Sequence, residues 1–319
     1  MDGKLRIVFM GTPDFAVESL KALVQKHYNI VGIITAPDKP AGRGQKLQPP
    51  AVKVYAEEQG LEVLQPEKLK DSAFLEKLRS LKADLQIVVA FRMLPEVVWN
   101  MPPLGTFNLH GSLLPQYRGA APINWAIING DTETGVTTFF LRHEIDTGHV
   151  IKQEKITIEP SDNAGSVHDK LMVLGARLVV ETVQAIVGNG VTPVPQSHFP
   201  DVVLRPAPKI FKEDCRIGWQ NDAVQVHNLI RGLSPYPTAW TELELVDGDL
   251  LFVKVFESRI GPGPSIGAGV VESDGKKRFL VGCGQGNIEI LSLQAAGKKR
   301  MDVGDFLRGN SIKEVVRAK

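Results

Sequence analysis

The sequence predicts an α/β fold, with a doubly wound, mostly parallel sheet over residues 1–190, a linker over 191–207 and a small OB-like β barrel over 208–319. Three observations predict it. Short apolar runs alternate with helical periodicity through the first part of the chain, as in a sheet covered on both faces. Pro193, Pro195, Pro200, Pro206 and Pro208 then follow one another without periodicity, as in a linker. Beyond them, short strand-like runs are separated by Gly and Pro, as in a small barrel.

The elements follow in order. Leu5 to Met10 is an apolar strand, and Phe15 to Lys26 has apolar residues at helical spacing. Thr12 is placed to cap that helix, with Pro13 at its first position, where the missing N–H costs nothing. Ile30 to Thr35 is the second strand. Val52 to Gly60 reads as a helix, Glu62 to Leu64 as a short strand and Ser72 to Leu81 as a helix. Asp84 to Ala90 is almost continuously apolar, the mark of a strand buried on both faces. Thr106 to Leu109 is a strand and Ala121 to Asn129 a helix. Val136 to Leu141 and Val150 to Ile158 form a strand pair, and Ala164 to Val187 is a long amphipathic helix. In the last part the strand-like runs are 239–243, 251–255, 269–271, 279–281 and 287–291.

A chain of 319 residues, 43% hydrophobic and 23% charged, has the size and composition of about two globular domains. The formal net charge of +1 excludes polyanion binding by bulk charge, so any nucleic-acid contact must come from local basic patches. Cys215 and Cys283 have neither CxxC nor metal-ligand spacing and read as reduced structural thiols. The opening apolar run is too short for a secretory signal, and no stretch approaches the length of a membrane span. A cytoplasmic protein is expected.

The chemistry centres on Asn108-Leu109-His110. Strand alternation puts Asn108 and His110 on one face, where the strand gives way to the loop Gly111-Ser112-Leu113-Leu114-Pro115. Ligands of open α/β sheets bind beyond the carboxyl ends of strands. An amide and an imidazole side by side there can stabilise an oxyanion and manage a proton. The bland alternative is two polar residues satisfied at a strand end. Asp146, in Asp146-Thr147-Gly148, would complete a proton relay if the fold brings it to His110, and is otherwise a solvated turn residue. His143 lies nearer to Asp146 in sequence but has no amide beside it.

Taken together, Asn108-x-His110, the run from Ser112 to Pro122 (SLLPQYRGAAP) and Asp146-Thr147-Gly148 resemble the signature of the 10-formyltetrahydrofolate-dependent formyltransferases. The resemblance implies a formyltransferase version of the doubly wound fold, with Asn108, His110 and Asp146 as catalytic trio. It implies 10-formyltetrahydrofolate as formyl donor and co-substrate, and no metal. The folate is expected against Phe91, Arg92, Met93 and Leu94 and against Ser112, Leu113, Leu114 and Pro115. Two segments depart from the pattern common in the family. Arg92 stands where a small residue is usual, and Thr137 to His143 lacks the usual Met-rich character.

Within the family, Gly11 to Phe15, Thr35 to Leu47 and Leu291 to Lys299 are similar to members that formylate methionyl initiator tRNA, and this likeness runs over essentially the whole chain. It implies tRNA contacts from the basic Gly/Pro loop, through Lys39, Arg43 and Lys46. The 208–319 domain is expected to bind tRNA through Lys298 and Lys299. Lys276-Lys277-Arg278 and Lys298-Lys299-Arg300 are the local basic clusters that could meet an RNA backbone. The rival readings are a formyltransferase for another amine, such as an amino sugar nucleotide, and a non-catalytic RNA-binding protein. A dinucleotide module is disfavoured because Gly11 stands alone, without G-x-G-x-x-G. A monomer is expected.

Overall fold

A computed structural model of the chain describes residues 5–41, 46–188, 190–199, 203–309 and 315–319. It divides into two compact units, each described by itself. The first comprises residues up to 122, 135–156 and 168–206, and the second 123–134, 157–167 and 207–319.

The elements begin β1 (Arg6–Gly11), α1 (Asp14–Gln25), β2 (Asn29–Ile34), β3 (Lys39–Ala41), β4 (Lys46–Gln48), α2 (Ala51–Glu58), β5 (Val63–Leu64) and α3 (Ser72–Ser80). They continue with β6 (Leu85–Val89), α4 (Glu96–Trp99), β7 (Thr106–His110), α5 (Pro122–Ile128), β8 (Glu133–Phe140), β9 (Val150–Thr157) and α6 (Ala164–Val187). The sheet order is β5-β2-β1-β6-β7-β8-β9. The pairs from β5 to β7 are parallel, and β8 joins β7 antiparallel. Strand order reverses between β1 and β6, so ligand binding is favoured beyond the carboxyl ends of these central strands.

Burial explains why the strands are apolar throughout. Ile7 to Met10 and Ile87 are fully buried, as parallel strands covered on both faces must be. Helix α1 turns Phe15, Ala16, Leu20 and Leu23 inward. Gly11 is needed where β1 hands over to that helix. A Cβ there would lie 2.6 Å from the Ala16 Cβ and 3.0 Å from the Val89 carbonyl. The helix starts one residue later than expected: Pro13 is its cap, extended at φ −83° and ψ 176°, and Asp14 is the first helical residue. The Pro13 carbonyl accepts the first-turn bond from Ala16 N (2.9 Å), and Thr12 stays outside the helix.

The segment after β2 carries two short strands that the sequence does not indicate. Residues 39–41 and 46–48 pair as the antiparallel hairpin β3–β4. At its base the Asp38 carboxylate accepts hydrogen bonds from Gln65 Nε2 (2.7 Å) and Lys53 Nζ (2.8 Å), which hold it below the usual carboxylate range. The proline-rich stretch is tied to the first unit. Val194 exchanges backbone hydrogen bonds with Val150 (2.8 and 2.9 Å).

The second unit contains α7 (Ala223–Leu233), β10 (Ala239–Leu245), β11 (Leu250–Gly261), β12 (Val271–Ser273), β13 (Phe279–Gly282), β14 (Asn287–Ala295), β15 (Met301–Asp302), α8 (Val303–Gly309) and β16 (Val315–Ala318). Its sheet runs β12-β13-β14-β11-β10-β16, with β15 on β14. The Ala318 N–H donates to the Gly269 carbonyl (2.8 Å) and Val270 bridges Arg317, so the two edges nearly meet as a barrel. Helix α7 supplies Val226, Ile230 and Leu233 to the core of Val253, Val255, Phe279, Val281, Ile288 and Phe306. It went unpredicted although Asp222 and Gln225 spell a capping box, which the structure forms. Both cysteines are buried and free, and burial pushes the Cys283 thiol up to about 11. Among the described residues no helix is long and apolar enough to cross a membrane.

Candidate active site

Strand β7 carries Phe107 and Leu109 on one face, both buried, and Asn108 and His110 on the other. His110 is only 6% exposed and stands edge-on to Phe139, with ring centroids 6.5 Å apart. Its Nε2 lies 2.8 Å from the Tyr117 carbonyl oxygen. A carbonyl can only accept, so Nε2 carries a proton and donates it. The other nitrogen, Nδ1, faces Asp146 Oδ2 at 3.9 Å, which is ion-pair range and too long for a hydrogen bond. The half-buried Asn108 amide has no hydrogen-bond partner among the described residues.

The loop after β7 is a rigid frame. Thr137 on β8 accepts from Leu114 N (3.1 Å) and donates to the Ser112 carbonyl (2.6 Å). Gln153 on β9 donates to the Leu114 carbonyl (2.7 Å) and to Thr137 Oγ1 (2.9 Å). The Ser112 hydroxyl donates to the Gln116 carbonyl (2.6 Å). Ser112, Leu114 and Pro115 are buried within this frame, and Leu113 lies against Gly135. These side chains therefore shape the loop, and leave its outward groups to meet a ligand.

Asp146 approaches from the loop between β8 and β9. Its backbone is left-handed (φ +54°), a conformation that costs an L residue about 1–2 kcal/mol. Three contacts hold it there. Gly119 N donates to Asp146 Oδ2 (3.0 Å), and Gln196 Nε2 donates to the carbonyls of Asp146 (2.8 Å) and Gly148 (2.9 Å). Gln196 Oε1 in turn accepts from Arg118 Nε (2.9 Å) and Nη2 (2.6 Å). Beside them, burial first, then Arg142 and His198, push the His149 imidazole down toward its neutral form. His143 turns elsewhere, to Glu96 Oε1 (3.4 Å) and the edge of Trp99. Of these two histidines, His110 is the one that the fold brings to Asp146.

Ala90, just after β6, is also left-handed (φ +47°), and Val88 and Val89 pair with Asn108 and Leu109. The loop of Phe91 to Leu94 therefore leaves the sheet beside the end of β7. Leu94 is buried and Met93 is 73% exposed. Arg92 does not turn back over the strand ends. Its guanidinium donates to the carbonyls of Glu67 (2.8 Å) and Pro66 and covers the Phe91 ring.

A cavity of about 320 Å³ lined by Arg79, Lys82, Asp84, Gln86 and Met101 lies at the amino end of β6, away from all of these groups. Lys39 is exposed on β3, whereas Arg43 and the Lys46 side chain lie outside the described residues. Lys298 and Lys299 are exposed in the turn between β14 and β15. In the turn before β13, Asp274 Oδ1 accepts from the backbone of Lys276, Lys277 and Arg278 (2.8, 2.8 and 2.9 Å), which brings its carboxyl down to about 2. Both β13 and β15 pair with β14, at Leu280↔Glu289 and Asp302↔Ser292, so the two basic turns lie along one strand.

Sequence reasoning did not single out Gln196, Tyr117, Thr137 or Gln153. Gln196, Thr137 and Gln153 act across 50, 25 and 39 residues of chain, which no local motif marks, whereas Tyr117 lies inside the run from Ser112 to Pro122 and acts through its backbone carbonyl, a contact that its side-chain identity does not reveal.

Two family models match the chain: "Formyl transferase" over residues 5–183 and "Formyl transferase, C-terminal domain" over 209–311. A methionyl-tRNA formyltransferase of Bacteroides thetaiotaomicron is 62% identical over 307 residues, 96% of this chain and 95% of that protein. One from Bacteroides fragilis is 60% identical over 317 residues, 99% and 98% of the two chains. Among solved structures, an N-formyltransferase of Helicobacter canadensis, in complex with folinic acid and dTDP-3-aminofucose, superposes with a TM-score of 0.65 at 21% identity. It covers 90% of this chain and 99% of that one, a likeness of fold.

Proposed function

The chain belongs to the formyl transferase family, and on that premise we propose that it transfers the formyl group of 10-formyltetrahydrofolate to the α-amine of methionyl initiator tRNA. The observation that carries this reading is the whole-length identity to methionyl-tRNA formyltransferases, both units included. Residues 1–190 act as the catalytic domain, 191–207 as the linker and 208–319 as the tRNA-binding domain. The protein works in the cytoplasm as a monomer, so the tRNA is its macromolecular partner.

The residues present suit this donor. The exposed Ala90 and the Asn108 amide, which has no partner among the described residues, lie at neighbouring strand ends. The folate supplies a formyl carbon on a nitrogen leaving group. Asn108 donates its amide N–H to the oxyanion that develops when the amine attacks. Such a donor lowers a barrier by about 2.7–4 kcal/mol. His110 is pinned through Nε2 and exchanges the proton at Nδ1. That proton leaves the attacking amine and ends on the departing folate nitrogen, while Asp146 holds its carboxylate beside the imidazole throughout. Lys39, Arg43, Lys46, Lys298 and Lys299 contact the tRNA.

The test is transfer of labelled formyl from 10-formyltetrahydrofolate to methionyl initiator tRNA, beside methionyl elongator tRNA and a free amino sugar nucleotide. Selective labelling of the initiator is expected. Label on the small amine alone would overturn the substrate, and no transfer to any acceptor would overturn the activity.

A further inference from the structure

We propose that Gln196 is a positioning residue of the reaction, acting through Asp146. This rests on the reading of Asp146 as a member of the catalytic trio. Gln196 comes from the proline-rich stretch that the sequence marks as a connector, yet it is 5% exposed and every polar group of its side chain is used. Its amide nitrogen donates to two carbonyls of the Asp146 loop, those of Asp146 (2.8 Å) and Gly148 (2.9 Å). Its amide oxygen accepts two bonds from Arg118 (2.9 and 2.6 Å). Arg118 adjoins Gly119, whose N–H holds the Asp146 carboxylate (3.0 Å).

The arrangement is a closed clasp. Gln196 fixes the backbone of a residue in the left-handed region, where an aspartate stays only when its surroundings determine it. Gly119 fixes the carboxylate, and Arg118 ties the two holds together. A primary amide suits position 196, because the position donates two bonds on one side and accepts two on the other. The same stretch secures the imidazole. Arg205 accepts from Tyr117 N through its carbonyl (2.8 Å) and donates from its backbone N–H to Gln116 Oε1 (2.9 Å). Tyr117 is the residue whose carbonyl orients His110. A loosened Gln196 would let Asp146 drift from His110 without touching either substrate.

Two variants separate this from plain packing. Gln196→Ala removes all four bonds. Gln196→Glu keeps the shape and the Arg118 pair but replaces the donor facing Asp146 and Gly148 with an oxygen. Steady-state kinetics of formyl transfer would be measured on the full chain for both, for Asp146→Ala, and for Asp146→Ala combined with Gln196→Ala. Both Gln196 variants are expected to lose about 10- to 100-fold in kcat, the scale of a displaced reacting group, with KM for both substrates close to that of the unaltered chain. The double variant should be no slower than Asp146→Ala alone, since Gln196 has nothing left to position. If Asp146→Ala is impaired while either Gln196 variant keeps full kcat, the inference is overturned. Multiplying losses in the double variant overturn it as well. Full turnover in Asp146→Ala would instead overturn the role given to Asp146, and the inference with it.

Discussion

His110 has one ring nitrogen committed to the Tyr117 carbonyl and one left for chemistry, and that division gives the site its direction. A histidine free to rotate would offer either nitrogen to either partner. Here the proton on Nε2 is spoken for, so the proposed mechanism places exchange at Nδ1, on the Asp146 side. Asn108 complements it with a donor that no group among the described residues uses. Asn108→Ala is expected to lower kcat by about 10²–10³-fold, the loss seen when one oxyanion donor is removed, and His110→Ala by about 10²–10⁴-fold, the contribution of a positioned acid–base group. Thermal unfolding should stay close to that of the unaltered chain. Full turnover in either variant would remove that residue from the mechanism.

At the scale of elements, the loop between β8 and β9 is the part under most constraint. It must leave β8, present Asp146 in a left-handed conformation and return as β9, and Gly148 makes the return possible. A Cβ at Gly148 would lie 1.6 Å from the Phe140 carbonyl oxygen, a backbone atom that cannot swing aside. Gly148→Ala is therefore expected to cost about 1–3 kcal/mol or more, as overpacking does. It should also lower kcat, because the Gly148 carbonyl is one of the two that Gln196 holds. Melting and turnover measured on the same preparation check this. Unchanged values for both would mean that the loop shifts freely and is not held by these contacts.

For the whole molecule, charge is a local matter. A net charge of +1 gives no general attraction for RNA, so recognition depends on where the cations stand. Lys298 and Lys299 stand exposed on one turn, next along β14 to the turn of Lys276, Lys277 and Arg278. Lys298→Glu with Lys299→Glu is expected to raise KM for tRNA and flatten its dependence on salt, because fewer counterions are released on binding. KM for the folate should not move. An unaltered tRNA KM across a salt series would take this turn out of the interface.

The main elements of the first sheet were legible in the sequence because buried parallel strands are apolar along their whole length and the helices between them are periodic. Helix 164–187 was read to its end residues. Polar ends and short elements were not legible: β8 begins at Glu133, three residues before its apolar run, and the β3–β4 hairpin lies in a loop read as Gly/Pro-rich. The residues able to carry the chemistry were legible too, since Asn108, His110 and Asp146 lie in local motifs. The sequence by itself thus determined the family, the alternation of elements and the candidate trio. Only the tertiary structure decided which histidine meets Asp146, which nitrogen of His110 is free, and that Gln196 in a proline-rich connector clasps the loop. Those are meetings of residues far apart along the chain, and side-chain spacing encodes only what lies within a helix turn or a strand.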